Sequence, residues 1–380
     1  MKVVPAVLGA AILLVAVALL PLPMRPYLDF QVLYHADLGL LRGIPLYDHA
    51  GQVDMIAQLA HVQPEQVFVL PFPYPPWYAL STLWLAMIPI YTAARVWFGV
   101  SLILLALSVW LLQARTIAGS RLPLSLLAIL WAPALGSFFV GQYGFPVLLG
   151  AALMAYTLKH DQPVLMAGAG VLLTFKPHLG GLILLLALAH LLTRRGGWGR
   201  NGLISLAAAG AFLFAVGYLA SPAWPMAYWH SLTGFKDVSQ CHQCVSPAML
   251  AAGLAGRGLE VAVWISAILA VATGYWLVRN WNRLAVSADQ LVSAGVLATL
   301  IVSPYLQNYD YLLLLVPFFE LSRTAKGWDW AWLAIAFLAP LAALALMGTA
   351  GNAWLILSTV LLCVQFARRI AASRLPSLAT

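Results

Sequence analysis

Apolar runs long enough to cross a lipid bilayer recur from one end of this chain to the other, and no other feature constrains the fold as much. Val3–Leu22 holds no charged residue, and neither does 96–114. About 20 apolar residues in a helix cover roughly 30 Å of hydrocarbon. Further runs lie at 93–114, 122–140, 145–158, 164–176, 178–193, 201–219, 259–278, 288–303, 310–322, 329–347 and 352–368. With the first, they predict an all-α polytopic membrane protein of twelve crossings. Composition agrees: 63% of the 380 residues are apolar and 8% are charged, where a soluble domain carries about 25%. Water-soluble, disordered, collagen-like and disulfide-scaffold classes are excluded. The Val3–Leu22 run reads as a retained crossing, because Pro21-Leu-Pro-Met-Arg-Pro follows it where a signal peptide would show a small-residue cleavage site.

The net charge of +8 does not point to nucleic acid. The basic residues sit in short clusters between apolar runs, as cytoplasmic loops of membrane proteins do. That bias also orients the chain. The run 77–90 is apolar but short, and it follows Tyr74-Pro75-Pro76. If it lies along the outer interface, Lys2, Arg115, Arg121, Lys159, Arg194, Arg195, Arg200 and seven later basic residues fall inside. Arg25, Arg42, Arg95, Lys176, Lys236 and Arg257 fall outside. Both termini are then cytoplasmic. Residues 23–92 form a first extracytoplasmic loop with interfacial helices, and 220–258 form a second. Short amphipathic helices are expected at about Val32–Leu41 and Gly51–His61. The whole chain reads as one integral membrane domain. The runs 145–158 and 164–176 are too short to cross, so both are expected to end near a cavity. Proline at 177 suits the break between helices there.

With so few charges, each ionisable residue at membrane depth is a candidate for function. Asp29 follows the first crossing between Leu28 and Phe30. Such a setting suits a general base with a raised pKa, or equally a helix cap. Lys176, in Thr174-Phe175-Lys176-Pro177-His178, is a single cation where two short helices meet. It calls for an anion, and phosphate fits, with His178 as a second donor; snorkelling to the interface is the other reading. Asp310 begins an apolar run, where the helix dipole favours an acid. Gln142, in Gly141-Gln142-Tyr143, suits a hydrogen bond to sugar or phosphate, or a turn cap. Trp224, Tyr228, Trp229 and His230 gather in the second outer loop, as an interfacial belt or a sugar-stacking surface. Cys241-His-Gln-Cys244 is too few ligands for a zinc site; a disulfide, free thiols and a metal all stay open. No Walker A, Rossmann, zinc-protease or nucleophile-elbow motif occurs.

Taken in order, Asp29-Phe-x-x-x-Tyr34, Gly43-x-Pro-x-Tyr47-Asp48, Tyr74-Pro-Pro76, Gly141-Gln142, Lys176-Pro177, Ser303-Pro304 and Tyr309-Asp310 resemble glycosyltransferase family 87. These are bacterial integral-membrane enzymes of the GT-C superfamily. The likeness runs from residue 27 to about 320. It implies a GT-C-like helical bundle in the inner membrane with its active site on the extracytoplasmic side. It implies an inverting, metal-independent transfer of a sugar, mannose or an arabinofuranose-like pentose, from a polyprenyl-phosphate donor to a glycan or glycolipid acceptor, with no cofactor. The family's first-loop acid maps onto Asp29 as general base. Its Lys-Pro lysine maps onto Lys176 at the donor phosphate, with His178, Arg25 and Gln142 as further phosphate ligands. Tyr34, Asp48, Tyr74, His230, Tyr309 and Asp310 are expected to position substrate. Two places depart from the family pattern. Tyr143-Gly144-Phe145 follows Gln142 where many relatives have an asparagine. Gln307 and Asn308 stand where some relatives have a histidine. The rival reading is a transporter or flippase for a lipid-linked sugar, with no bond-making chemistry.

Overall fold

The protein is described by a computed structural model over residues 14–15, 19, 28–113, 127–194, 196–239, 244–346 and 349–373. Most of the first apolar run and Arg25 therefore lie outside the described residues. Among the described residues the chain is helical and contains no strand. Four helices among the described residues have the length and apolarity to cross a membrane: Ile90–Gln113, Gly197–Ala220, Leu259–Arg279 and Gly351–Ala372. Their outer faces carry large bare apolar side chains, including Phe212, Phe214, Leu219, Ile268, Val271 and Val278. Such a surface marks contact with lipid rather than water. The chain is a multi-pass membrane protein.

The chain forms two compact units. The first comprises Met1–Leu104, Ser137–Tyr143 and Gly210–Gln240. It opens with the Leu28–Leu41 helix, four residues longer at its start than the sequence predicts. This helix is not a surface amphipath. Phe30, Leu33, Ala36 and Asp37 are all buried, so the polar-out face expected of an interfacial helix is missing. Gly43, with φ of +78°, turns the chain after it; a left-handed residue there suits glycine. Asp48 starts the His49–Ala60 helix by accepting the Gly51 amide at 3.0 Å. The run 77–90 is broken into the Pro76–Thr82 α-helix and the Leu83–Met87 3-10 helix. Seven α-helical residues span only about 10 Å, far short of a crossing.

The second unit comprises Leu105–Gly136, Gly144–Ala209 and Cys241–Thr380. Its centre holds the Gly144–His160, Pro163–Leu173, Pro177–Thr193 and Ala288–Val302 helices. Small residues let them approach closely. A Cβ on Gly150 would lie 3.0 Å from Leu172 Cβ, and one on Gly295 would lie 3.1 Å from Ile183 Cα. Pro177 is the first residue of its helix, where a missing N–H costs nothing. The expected crossing at 310–322 is not a single α-helix. It is a 3-10 segment, Asn308–Leu314, followed by an eight-residue α-helix, Leu315–Ser322. The whole stretch from Asp310 to Ser322 is buried, so protein rather than lipid surrounds this irregular backbone. Polar links tie the unit together elsewhere. Asp289 accepts Lys159 at 2.8 Å and Arg323 at 2.6 Å, and Arg369 meets Glu320 at 3.1 Å.

Candidate functional site

In the first unit the chemistry gathers around the start of the Leu28–Leu41 helix. Asp29 lies in its first turn and is half-buried. An acid there is favoured by the exposed amides of the helix end. The backbone beneath it is fixed by one side chain. The Tyr143 hydroxyl donates to the Asp29 carbonyl and accepts the Leu33 amide at 3.3 Å. Tyr143 is in turn held by rings: Tyr74 at 5.1 Å, Tyr78 at 5.2 Å and Trp97 at 5.9 Å between centroids, all edge-on. Edge-to-face contacts of this kind fix orientation as well as bury area. Gly141 supplies the remaining fit. Its φ is +71°, and a Cβ would stand 2.7 Å from Phe30 Cβ. Glycine is therefore required both for conformation and for the closeness of this loop to the helix. Trp97 Nε1 donates to the Gly141 carbonyl at 3.2 Å.

The other sequence candidates in this unit have identifiable contacts. Gln142 is buried, and its Oε1 accepts the Tyr143 amide at 3.1 Å. The Tyr34 hydroxyl donates to the Ile88 carbonyl at 2.9 Å. Tyr74 belongs to the ring cluster, and its carbonyl accepts the Tyr47 hydroxyl at 2.8 Å. Asp48 is exposed and caps its helix. His230 is exposed, and its carbonyl accepts the Thr233 hydroxyl at 2.8 Å.

Asp37 is the surprise of this unit. It is completely buried, and among the described residues neither carboxyl oxygen has a hydrogen-bond partner of good geometry. Burial pushes its pKa well above the usual carboxylate range, offset in part by the nearby Thr82 hydroxyl. That hydroxyl spends its proton on the Tyr78 and Ala79 carbonyls, each at 3.1 Å. Burial without a facing cation thus favours the protonated form of Asp37. Its neighbour His35 is pushed down to about 4 by the same burial. The sequence signal for Asp37 is an acid flanked by Ala36 and Leu38.

In the second unit the structure brings Lys176, Asp310 and Tyr309 together. Lys176 is the residue immediately before the Pro177–Thr193 helix. Its Nζ donates to Asp310 Oδ1 at 2.9 Å, with the two side chains 3% and 1% exposed. The anion that the lysine requires is thus present inside the chain itself. The ammonium also lies 4.8 Å from the centroid of the Tyr309 ring, within cation–π range. Asp310 uses its second oxygen to accept the Gln307 amide at 2.9 Å. One carboxylate therefore caps the 3-10 segment and neutralises the lysine. His178 is exposed and sets its ring edge-on to Tyr305, 6.3 Å away. Tyr305 lies on the Ser303–Tyr309 stretch that also supplies Tyr309. Among the described residues no group of three or more His, Cys, Asp or Glu side chains is placed to hold a metal ion.

The sequence model of glycosyltransferase family 87 matches residues 72–304. This is more than half of the chain. The chain belongs to glycosyltransferase family 87. No curated protein and no solved structure matches it. As a family 87 member it is a membrane glycosyltransferase, with a sugar donor and an acceptor as its substrates. The matched stretch includes Tyr74, Gln142, Lys176, His178 and His230. Asp29, Tyr34, Asp48, Tyr309 and Asp310 lie outside it.

Proposed function

We propose that this protein transfers a sugar, mannose or an arabinofuranose-like residue, from a polyprenyl-phosphate donor to an extracytoplasmic glycan or glycolipid. The acceptor hydroxyl attacks the anomeric carbon, the bond from that carbon to the phosphate oxygen breaks, and the sugar is inverted. The hydroxyl proton passes to Asp29, and the polyprenyl phosphate leaves with its charge met by Lys176. His178, Arg25 and Gln142 assist at the phosphate, and Tyr34, Asp48, Tyr74, His230, Tyr309 and Asp310 position substrate. The carrying observation is Lys176 itself, a buried cation held in one place by Asp310 in a chain of this family. A fixed ammonium in a low-dielectric setting stabilises charge developing on a leaving phosphate without having to reorganise. A lipid-linked donor also suits a chain without a nucleotide-binding motif.

The bundle crosses the inner membrane twelve times in this reading, with residues 23–92 and 220–258 outside. Labelling a Trp198→Cys variant with an impermeant thiol reagent tests the orientation; reaction in intact cells would reverse it. The test of function is incubation of the purified protein with a panel of polyprenyl-phosphate sugars and an acceptor glycolipid. Release of polyprenyl phosphate with one sugar is the expected result. Movement of the donor across a vesicle membrane with no release would make the protein a flippase.

A further inference from the structure

The second outer loop contains a bridge that the transfer reaction does not use. Cys244 is disulfide-bonded, while Cys363 is a free thiol; Cys241 lies outside the described residues. The residues that leave Cys244 run straight into the stretch that carries Asp310. Val245 donates its amide to the Leu306 carbonyl at 2.7 Å. Its own carbonyl accepts the Tyr311 hydroxyl at 2.6 Å. Ser246 Oγ donates to the Pro304 carbonyl at 3.2 Å. The same Oγ caps the Pro247–Leu254 helix by accepting the Met249 amide at 3.1 Å. Gln307 Nε2 approaches Cys244 Sγ at 3.9 Å. Cys244, Val245 and Ser246 are all buried.

These contacts bracket Asp310. Pro304, Leu306 and Gln307 precede it and Tyr311 follows it, so the strap 244–246 holds both sides of the residue that faces Lys176. The Ser303–Gln307 stretch is not α-helical, so its backbone groups depend on outside partners such as the strap. A disulfide at the edge of a strap limits the conformations it can reach when it loosens. Oxidising conditions outside the cytoplasm would keep such a bridge closed.

We infer that the disulfide-bonded Cys244–Ser246 strap is a positioning element that keeps the 303–311 segment, and through Asp310 the Lys176 ammonium, in register for the donor phosphate. The inference rests on the donor role proposed for Lys176. Opening the bridge frees the strap, lets Leu306, Gln307 and Tyr311 lose their partners, and leaves Asp310 less firmly placed.

The test compares the oxidised protein in nanodiscs with the same protein reduced by a water-soluble phosphine, which becomes the phosphine oxide as the disulfide becomes two thiols. Two quantities are read. Amide hydrogen exchange over 303–311 should speed up on reduction. The KM for a polyprenyl-phosphate sugar should rise by a few-fold to about tenfold, the scale of one or two lost hydrogen bonds, with kcat changed less. A Cys244→Ser variant should match the reduced protein and respond no further to the phosphine. Unchanged exchange over 303–311 in the reduced wild type would overturn the inference, and this arm needs no variant to fold. Faster exchange with an unchanged donor KM would keep the strap but remove Lys176 from the donor phosphate, overturning the functional half. A rise in KM that persists in phosphine-treated Cys244→Ser relative to its untreated form would assign the effect to the reagent, and so would also count against the strap.

Discussion

Asp37 and Asp310 are buried to nearly the same depth, 0% and 2% exposed, and the chain treats them in opposite ways. In the second unit, Asp310 receives an ammonium and a backbone amide. In the first, Asp37 receives neither. A buried carboxylate either finds cations and donors or gives up its charge. The second unit places an ion pair in its interior, and the first buries a carboxyl group whose protonated form burial favours. Burial alone therefore does not identify a charged site. What faces the carboxylate decides whether it is an ion, and only the ion can hold a lysine in place.

The largest expected effect comes from breaking the paired side. Lys176→Ala leaves the Asp310 carboxylate buried without its ammonium, which should cost about 3–5 kcal/mol of stability. Replacing both partners, as in Lys176→Met with Asp310→Leu, should restore most of that loss because no charge is stranded. Thermal unfolding in detergent reads both variants. A double variant as unstable as Lys176→Ala would mean that the lysine stabilises through packing rather than through the pair. Under the donor role, even the stable double variant should bind polyprenyl-phosphate sugar poorly.

The next effect concerns Asp29, the half-buried acid that lies between the two extremes. Asp29→Asn keeps size and most hydrogen bonding but cannot take a proton. Turnover should fall by roughly a hundredfold or more, donor binding should survive, and the acidic limb of the pH–rate profile should vanish. The same change at Asp37 should leave turnover largely intact, since that group is completely buried and burial disfavours the carboxylate that a base requires. Near wild-type turnover in Asp29→Asn would remove it as the base, and loss of turnover in Asp37→Asn alone would move that role to the buried acid.

Much of this architecture was legible in the sequence, and the part that was not has a physical reason. The apolar runs marked the helices because a lipid-facing helix needs length and apolarity and little else. Pro177 marked the break before the Pro177–Thr193 helix because its missing amide is a local property. The 310–322 run misled because composition cannot distinguish a lipid-crossing helix from an irregular stretch wrapped in protein. The partners of that stretch, Lys176 on Asp310 and Val245 on Leu306 and Tyr311, are distant in the chain. Tyr143 read as a departure from a family pattern, yet its hydroxyl fixes the backbone under Asp29. That function depends on Tyr74, Tyr78 and Trp97 converging on it, which no local spacing encodes. Asp37 read as one more loop acid because such an acid is ordinarily solvated, and only the packing shows that this one is buried.

A smaller effect separates Asp37 from its neighbour by pH. The folded-state pKa of Asp37 is raised, so the folded protein binds a proton that the unfolded chain releases above about pH 4. Its contribution is complete below the unfolded pKa and is lost as pH rises. His35 runs the other way. Its folded pKa falls from 6.5 to about 4, so its contribution is complete above pH 6.5 and is lost as pH falls toward 4. The two slopes oppose each other across one window. Asp37→Asn should therefore expose a stability that rises from pH 4 to 6.5, and His35→Gln one that falls over the same range. Identical pH profiles for the two variants, measured by thermal unfolding, would show that neither group is titrating in place.

The smallest effect belongs to Asp48, which contrasts with Asp310 as a cap without a cation. Asp310 cannot be replaced by a neutral cap, because Lys176 would lose its anion. Asp48 is exposed and has one visible task, accepting the Gly51 amide. Asp48→Ala should cost about 1 kcal/mol through the lost N-cap, and Asp48→Ser should cost little because a hydroxyl caps as well. The substrate-positioning role expected for Asp48 makes a separate demand, since a serine cannot supply its negative charge. Wild-type stability with wild-type turnover in Asp48→Ser would confine the residue to its helix. Wild-type stability with a raised KM for acceptor or donor would show the carboxylate meeting substrate, and only that result would set Asp48 beside Asp310 as an acid whose charge is used.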